Sequence, residues 1–160
     1  MSGRSMKDQW SAALQTSLEY FERSTACLQA EDANFKPTDG ALTVAQQIAH
    51  VGQSTAWLVD GAFSPDGFDL SFANNLSLLE GIDTLDEARS IVRDGYRNAL
   101  ERVQSASEAE WSALLPEGPV MPGAPRHAVI AAIVDHTAHH RGALTVYSRL
   151  CGHTPAMPYM

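Results

Sequence analysis

Residues 125–152 read PRHAVIAAIVDHTAHHRGALTVYSRLCG, and the periodicity of this stretch decides the fold. At roughly 100° per residue, Val129, Ile133, His136, Leu144, Tyr147 and Cys151 all fall within about 40° of His140 on a helical surface. That stripe predicts a buried helix over 125–151, stopped by Gly152 with Pro155 soon after. A buried helix of this kind needs other apolar helix faces to pack against, and the chain upstream supplies three.

Working backwards, SEAE at 107–110 is a capping-box pattern opening a short turn with Trp111, Leu114 and Leu115. The PEGPVMPGAP run after it is too rich in Pro and Gly for a helix. TLDE at 84–87 opens a helix to about Ser105, with Leu85, Ala88, Val92, Tyr96, Ala99 and Val103 on one stripe. TVAQ at 43–46 opens another, running to about Gly61. The first helix spans about 6–31, where Trp10, Ala13, Leu14, Leu18, Phe21 and Leu28 keep helical spacing. No segment alternates as a strand would. The expectation is an all-α, single-domain four-helix bundle over residues 1–160. Its long connection between the second and third helices, 64–83, is expected to hold a helical turn at 76–79.

The chain has 160 residues, 44% of them hydrophobic, and a formal charge of −8. With no compensating Lys/Arg stripe, that charge repels a phosphate backbone, which argues against nucleic-acid binding. The start, MSGRSMKDQW, has no apolar leader core, and no apolar run approaches a membrane span. A soluble, cytoplasmic protein is expected. Cys27 and Cys151, without CxxC spacing, are expected to be buried reduced thiols.

The histidines carry the functional reading. His136 and His140 lie one turn apart inside the most apolar stripe, and His139 is turned by about 100° onto a flank. Two inward imidazoles must have their donors and acceptors satisfied, and a divalent metal does this because neutral imidazole is its natural ligand. The H-x3-H spacing also fits a purely structural pair. A third candidate is His50, which shares a face of the second helix with Gln46, Ser54 and Trp57; the alternative for that face is a solvated polar strip. Three histidines from two helices would leave positions for water or substrate, as catalytic sites do. His127 and His153 are expected to be solvated residues flanking the fourth helix. HExxH, Glu-x-x-His, P-loop, GxGxxG and Gly-x-Ser-x-Gly patterns are missing from the sequence.

This pattern resembles the DinB/YfiT-like superfamily, in which a second-helix His joins an H-x3-H pair on the fourth. The matching residues are His50 in QQIAHVGQSTAW and His136 and His140 in DHTAHHRGAL, with SRLCGHTP as the closing pattern. One departure is Ala143, where members often carry Gln after Arg-Gly. The resemblance implies a four-helix bundle whose His50, His136 and His140 hold a divalent metal, Zn²⁺ or Ni²⁺. It also implies frequent homodimers and thiol-dependent transferases or isomerases using low-molecular-weight thiols such as mycothiol or bacillithiol. The leading expectation is therefore a metal-dependent enzyme with transferase-like or hydrolase-like chemistry on a small molecule. The alternative is a non-catalytic metal or ligand binder in which the ion stabilises the bundle. His139, Ser54, Trp57 and Arg141 are the candidate supporting residues.

Overall fold

The computed structural model describes residues 5–160; residues 1–4, the first part of the MSGRSMKDQW start, lie outside them. Four long helices form the bundle: α1 (Met6–Thr25), α2 (Val44–Phe63), α4 (Leu85–Ser105) and α6 (Ala128–Leu150). Two short ones, α3 (Phe72–Ser77) and α5 (Glu108–Ser112), lie in the connections. Among the described residues there is no strand, only an isolated bridge between Leu114 and Pro125. None of their helices is long and apolar enough to cross a membrane.

The helix starts follow the sequence signals. Thr43 Oγ1 accepts from Gln46 N while Gln46 Oε1 accepts from Thr43 N, a complete capping box, and Ser107 and Glu110 repeat it. At Thr84 the cap is the bond from Glu87 N to Thr84 Oγ1. The expected apolar stripe of α4 is buried throughout.

Two boundaries differ from expectation. The first helix stops at Thr25, and its remainder becomes a turn with a 3-10 helix, Ala30–Asp32, closed by Gln29 N donating to Asp32 Oδ2. The fourth long helix begins at Ala128 rather than Pro125, because Arg126 N and His127 N donate to Ala113 O and Trp111 O. Those two amides tie the helix entrance to the α5 segment.

Three expectations about side chains are corrected. His127 stacks on Trp10, ring centroids 5.4 Å apart, and His153 Nε2 lies 2.7 Å from Asp32 Oδ2; neither is a freely solvated end residue. Cys27 and Cys151 are free thiols but half-buried rather than core residues.

α2 packs on α4 and α6, and α1 packs on the same two, so α1 and α2 are diagonal partners. The closest approach is between α2 and α4. A Cβ on Gly52 would stand 2.6 Å from Val92 Cα, and one on Gly95 would stand 2.5 Å from the Gly52 carbonyl oxygen. Both glycines are buried inside helices, where glycine costs about 1 kcal/mol relative to alanine. Steric exclusion outweighs that penalty. Across the bundle, Tyr96 Oη lies 2.9 Å from Ser17 Oγ and 2.7 Å from Thr137 Oγ1, linking α4, α1 and α6 through a buried hydroxyl chain.

Gly52→Ala is expected to lower stability despite its better helix propensity, because the contacts are backbone and cannot swing aside. A net loss of about 2 kcal/mol is expected. For a domain of this size that lowers the melting temperature by about 4–8 °C in a thermal melt. An unchanged or raised melting temperature would mean that the two helices can separate freely.

Candidate metal centre

Gly52 pins one side of α2 to α4. Two residues earlier on the helix, about 200° around it, His50 points the opposite way, toward α6. There it meets His136 and His140. Ring centroids are 5.1 Å apart for His50 and His136, 4.8 Å for His50 and His140, and 4.4 Å for His136 and His140. One ring nitrogen from each can be chosen so that all three lie within 4.8 Å of one another. The face of α2 carrying His50 is thus a wall of a site rather than a solvated strip.

Burial is the largest influence on all three rings. It lowers the pKa of His50, lowers that of His136 to about 4 with help from His50 and His139, and lowers that of His140 to about 3 with help from its three histidine neighbours. At neutral pH the trio is uncharged, the form that ligates metal.

The donor set fits a cation. His136 Nε2 and His140 Nε2 are 3.2 Å apart. Two nitrogens bound tetrahedrally to zinc at 2.0–2.1 Å stand about 3.3–3.4 Å from each other. Gln47 Oε1 lies 3.4 Å from His140 Nδ1; with the ring proton on Nδ1 directed to it, Nε2 presents a lone pair to the site. The Gln47 Nε2 is buried and has no hydrogen-bond partner among the described residues. Gln53 Oε1 stands 3.5 Å from His50 Nδ1, a corresponding arrangement on the second element.

A cavity of about 330 Å³ opens beside the trio, with His50, Ser54 and Trp57 on its α2 wall and His136 on its α6 wall. Ser54 Oγ is 3.4 Å from His50 Nδ1. The 64–83 connection forms the remaining wall through α3, four residues ahead of the expected turn. Trp57 Nε1 donates to Asp69 O at 2.7 Å, and Gln53 Nε2 donates to Asn75 O. Phe68 sits where Gly61 lacks a side chain; a Cβ there would be 2.7 Å from Phe68 Cγ. These anchors recur every fourth residue along α2, at 53, 57 and 61, so the strap runs along one line of the helix.

Other candidate residues are not brought into the site. His139 is exposed, its ring edge-on to His140 at 4.9 Å. Arg141 lies over the rings of Tyr20 and Tyr159, at 5.9 and 5.8 Å, on the side facing α1 and the C-terminal segment. Gln46 is occupied by its capping box. The sequence reading missed Gln47, Gln53, Phe72 and Asn75. Gln47 had one available signal, a glutamine interrupting the apolar side of α2 between Val44 and Val51.

Fold and site together define an all-helical bundle with a three-histidine cluster shared between two of its long helices. The DinB superfamily model matches residues 13–144, and the chain belongs to that superfamily. A crystal structure of a conserved protein from Enterococcus faecalis superposes with a TM-score of 0.60. That match covers 92% of this chain and 98% of the other at 16% identity, a likeness of fold. No curated protein matches the chain.

The depressed histidine pKa values set the sign of an acid response. An unfolded histidine titrates near about 6.5. Below that pH the unfolded chain takes up protons that His136 and His140 refuse until about pH 4 and 3. The contribution of these two groups to the stability of metal-stripped protein is therefore fully present above about pH 6.5 and is lost as pH falls toward about 3. Urea midpoints measured across this window should show a shallower fall in the His136→Gln/His140→Gln double variant; equal slopes would refute the assignment.

Proposed function

We propose that this protein is a metal-dependent enzyme acting on a small molecule, with His50, His136 and His140 holding a divalent cation, Zn²⁺ or Ni²⁺. The observation that supports it best is the neutral three-nitrogen set converging at the wall of a cavity. A closed structural site would use four protein ligands, whereas three leave room for substrate. When bound, such a cation acts as a Lewis acid and lowers the pKa of a thiol or water brought to it.

The chain's own residues do the remaining work. Gln47 and Gln53 orient the imidazoles through their Nδ1 atoms. Ser54 offers a hydroxyl beside His50, and Trp57 with the strap limits access of bulk water. Thiol transfer to a small electrophile is the leading reaction and hydrolysis the second, with a low-molecular-weight thiol as cosubstrate and a homodimer as the working form. A ligand-binding role without turnover is the competing reading.

Purified protein is expected to carry close to one divalent ion per chain by elemental analysis. His50→Ala and His136→Ala should lose it while circular dichroism stays helical. Gln47→Leu, which removes the acceptor facing His140, should weaken metal affinity about 10–100-fold. Full occupancy in either histidine variant would remove the site assignment. Turnover is then assayed with metal-loaded protein against electrophiles plus several small thiols, with simple esters and amides in parallel. Retained metal with no turnover in any assay favours the binding role.

A further inference from the structure

The cavity beside the trio has a chemistry of its own. Among the described residues, those lining it include no Asp, Glu, Lys or Arg. Its walls away from the histidines are Trp57 and Leu58 of α2, Ala132 of α6 and Phe72 of α3, with Gln53, Ser54 and Asn75 as neutral polar points. The Trp57 and Phe72 ring centroids are 6.0 Å apart with their planes inclined at 56°. Phe72 is 56% exposed although the strap is anchored on either side of it, through Asp69 and Asn75.

We propose that the ligand entering this cavity has an uncharged, apolar and preferably aromatic body, carrying one donor atom toward the histidines. The donor part rests on the proposed metal function; the body part rests on the lining. An empty space of about 150 Å³ suffices for benzene, so about 330 Å³ accommodates a substituted single ring. A carboxylate or ammonium on that body would be desolvated without an ionic partner, which costs several kcal/mol. A flat apolar body instead covers the exposed face of Phe72 and stacks on Trp57. Asn75 and Ser54 suit a neutral carbonyl or hydroxyl substituent.

The test has two arms. In metal-stripped protein, toluene and benzoate are titrated while Trp57 fluorescence is followed, since Trp10 and Trp111 are buried against each other elsewhere; a Trp57→Phe variant identifies the signal. In Co²⁺-loaded protein, benzyl mercaptan is compared with 4-(mercaptomethyl)benzoate by thiolate-to-cobalt absorption. The neutral member of each pair is expected to bind at least about tenfold tighter. Phe72→Lys, at an exposed position, supplies the missing ionic partner and should erase that preference without loss of helicity. Binding of benzoate as tight as or tighter than that of toluene in the metal-free arm overturns the proposal. Failure of cobalt to bind removes the metal reading alone, because the metal-free arm still decides the character of the cavity.

Discussion

The contact between the α2 and α4 backbones at Gly52 and Gly95 governs the placement of the histidine site. Without side chains at these two positions the helices approach until carbonyl and Cα atoms touch. That closeness fixes the axial position and rotation of α2, and therefore the direction in which His50 leaves it. The opposite partner is fixed from beneath. Thr137, next to His136, joins the hydroxyl chain through Tyr96 to Ser17, which registers α6 against α4 and α1. Two helices held on their far sides by packing and hydrogen bonding present their histidines across a shared front.

Holding three imidazoles so close and half-buried is unfavourable on its own, because each nitrogen must find a partner away from water. The bundle meets part of that demand with two glutamines of one helix. The nitrogens left over converge into a cluster that could hold a metal ion. The strap then adds a side wall whose anchors are drawn from the same helix. α2 thus serves three structures at once: the α4 interface, the histidine cluster and the strap. Its residues divide among them by angle around the axis.

That division explains how far the sequence could be read. Angular arithmetic places His136 and His140 on an inward-facing stripe and His50 on a polar face of the second helix, because a helix determines where every side chain starts. It does not determine where a long side chain ends. Arg141 begins one residue after His140 and finishes over Tyr20 and Tyr159, on the α1 side of the bundle. His127 and His153 gain partners, Trp10 and Asp32, that lie over a hundred residues away in sequence. Gly52 and Gly95 are visible in the sequence as penalties within helices, but their compensation lies in one another. The strap is the least legible part. Its turn is set at Phe72–Ser77 by bonds that Trp57 and Gln53 make to backbone carbonyls, and no local pattern encodes those.

The His153–Asp32 pair has a kinetic side as well. The C-terminal segment lies along α1, with Arg23 Nη1 donating to Pro158 O and Tyr159 edge-on to Tyr20, while His153 reaches Asp32 across 121 residues of chain. Closing so large a loop before the bundle exists would cost conformational entropy with little to offset it. On that ground the segment is expected to dock onto helices already assembled, with its contacts absent at the folding barrier. Interactions formed that late leave the rate of assembly unchanged and slow the rate of disassembly. The comparison of unfolding rates between the parent chain and His153→Ala is where such an effect would be read. The last stretch of the chain is then a latch on the native state rather than a step toward it.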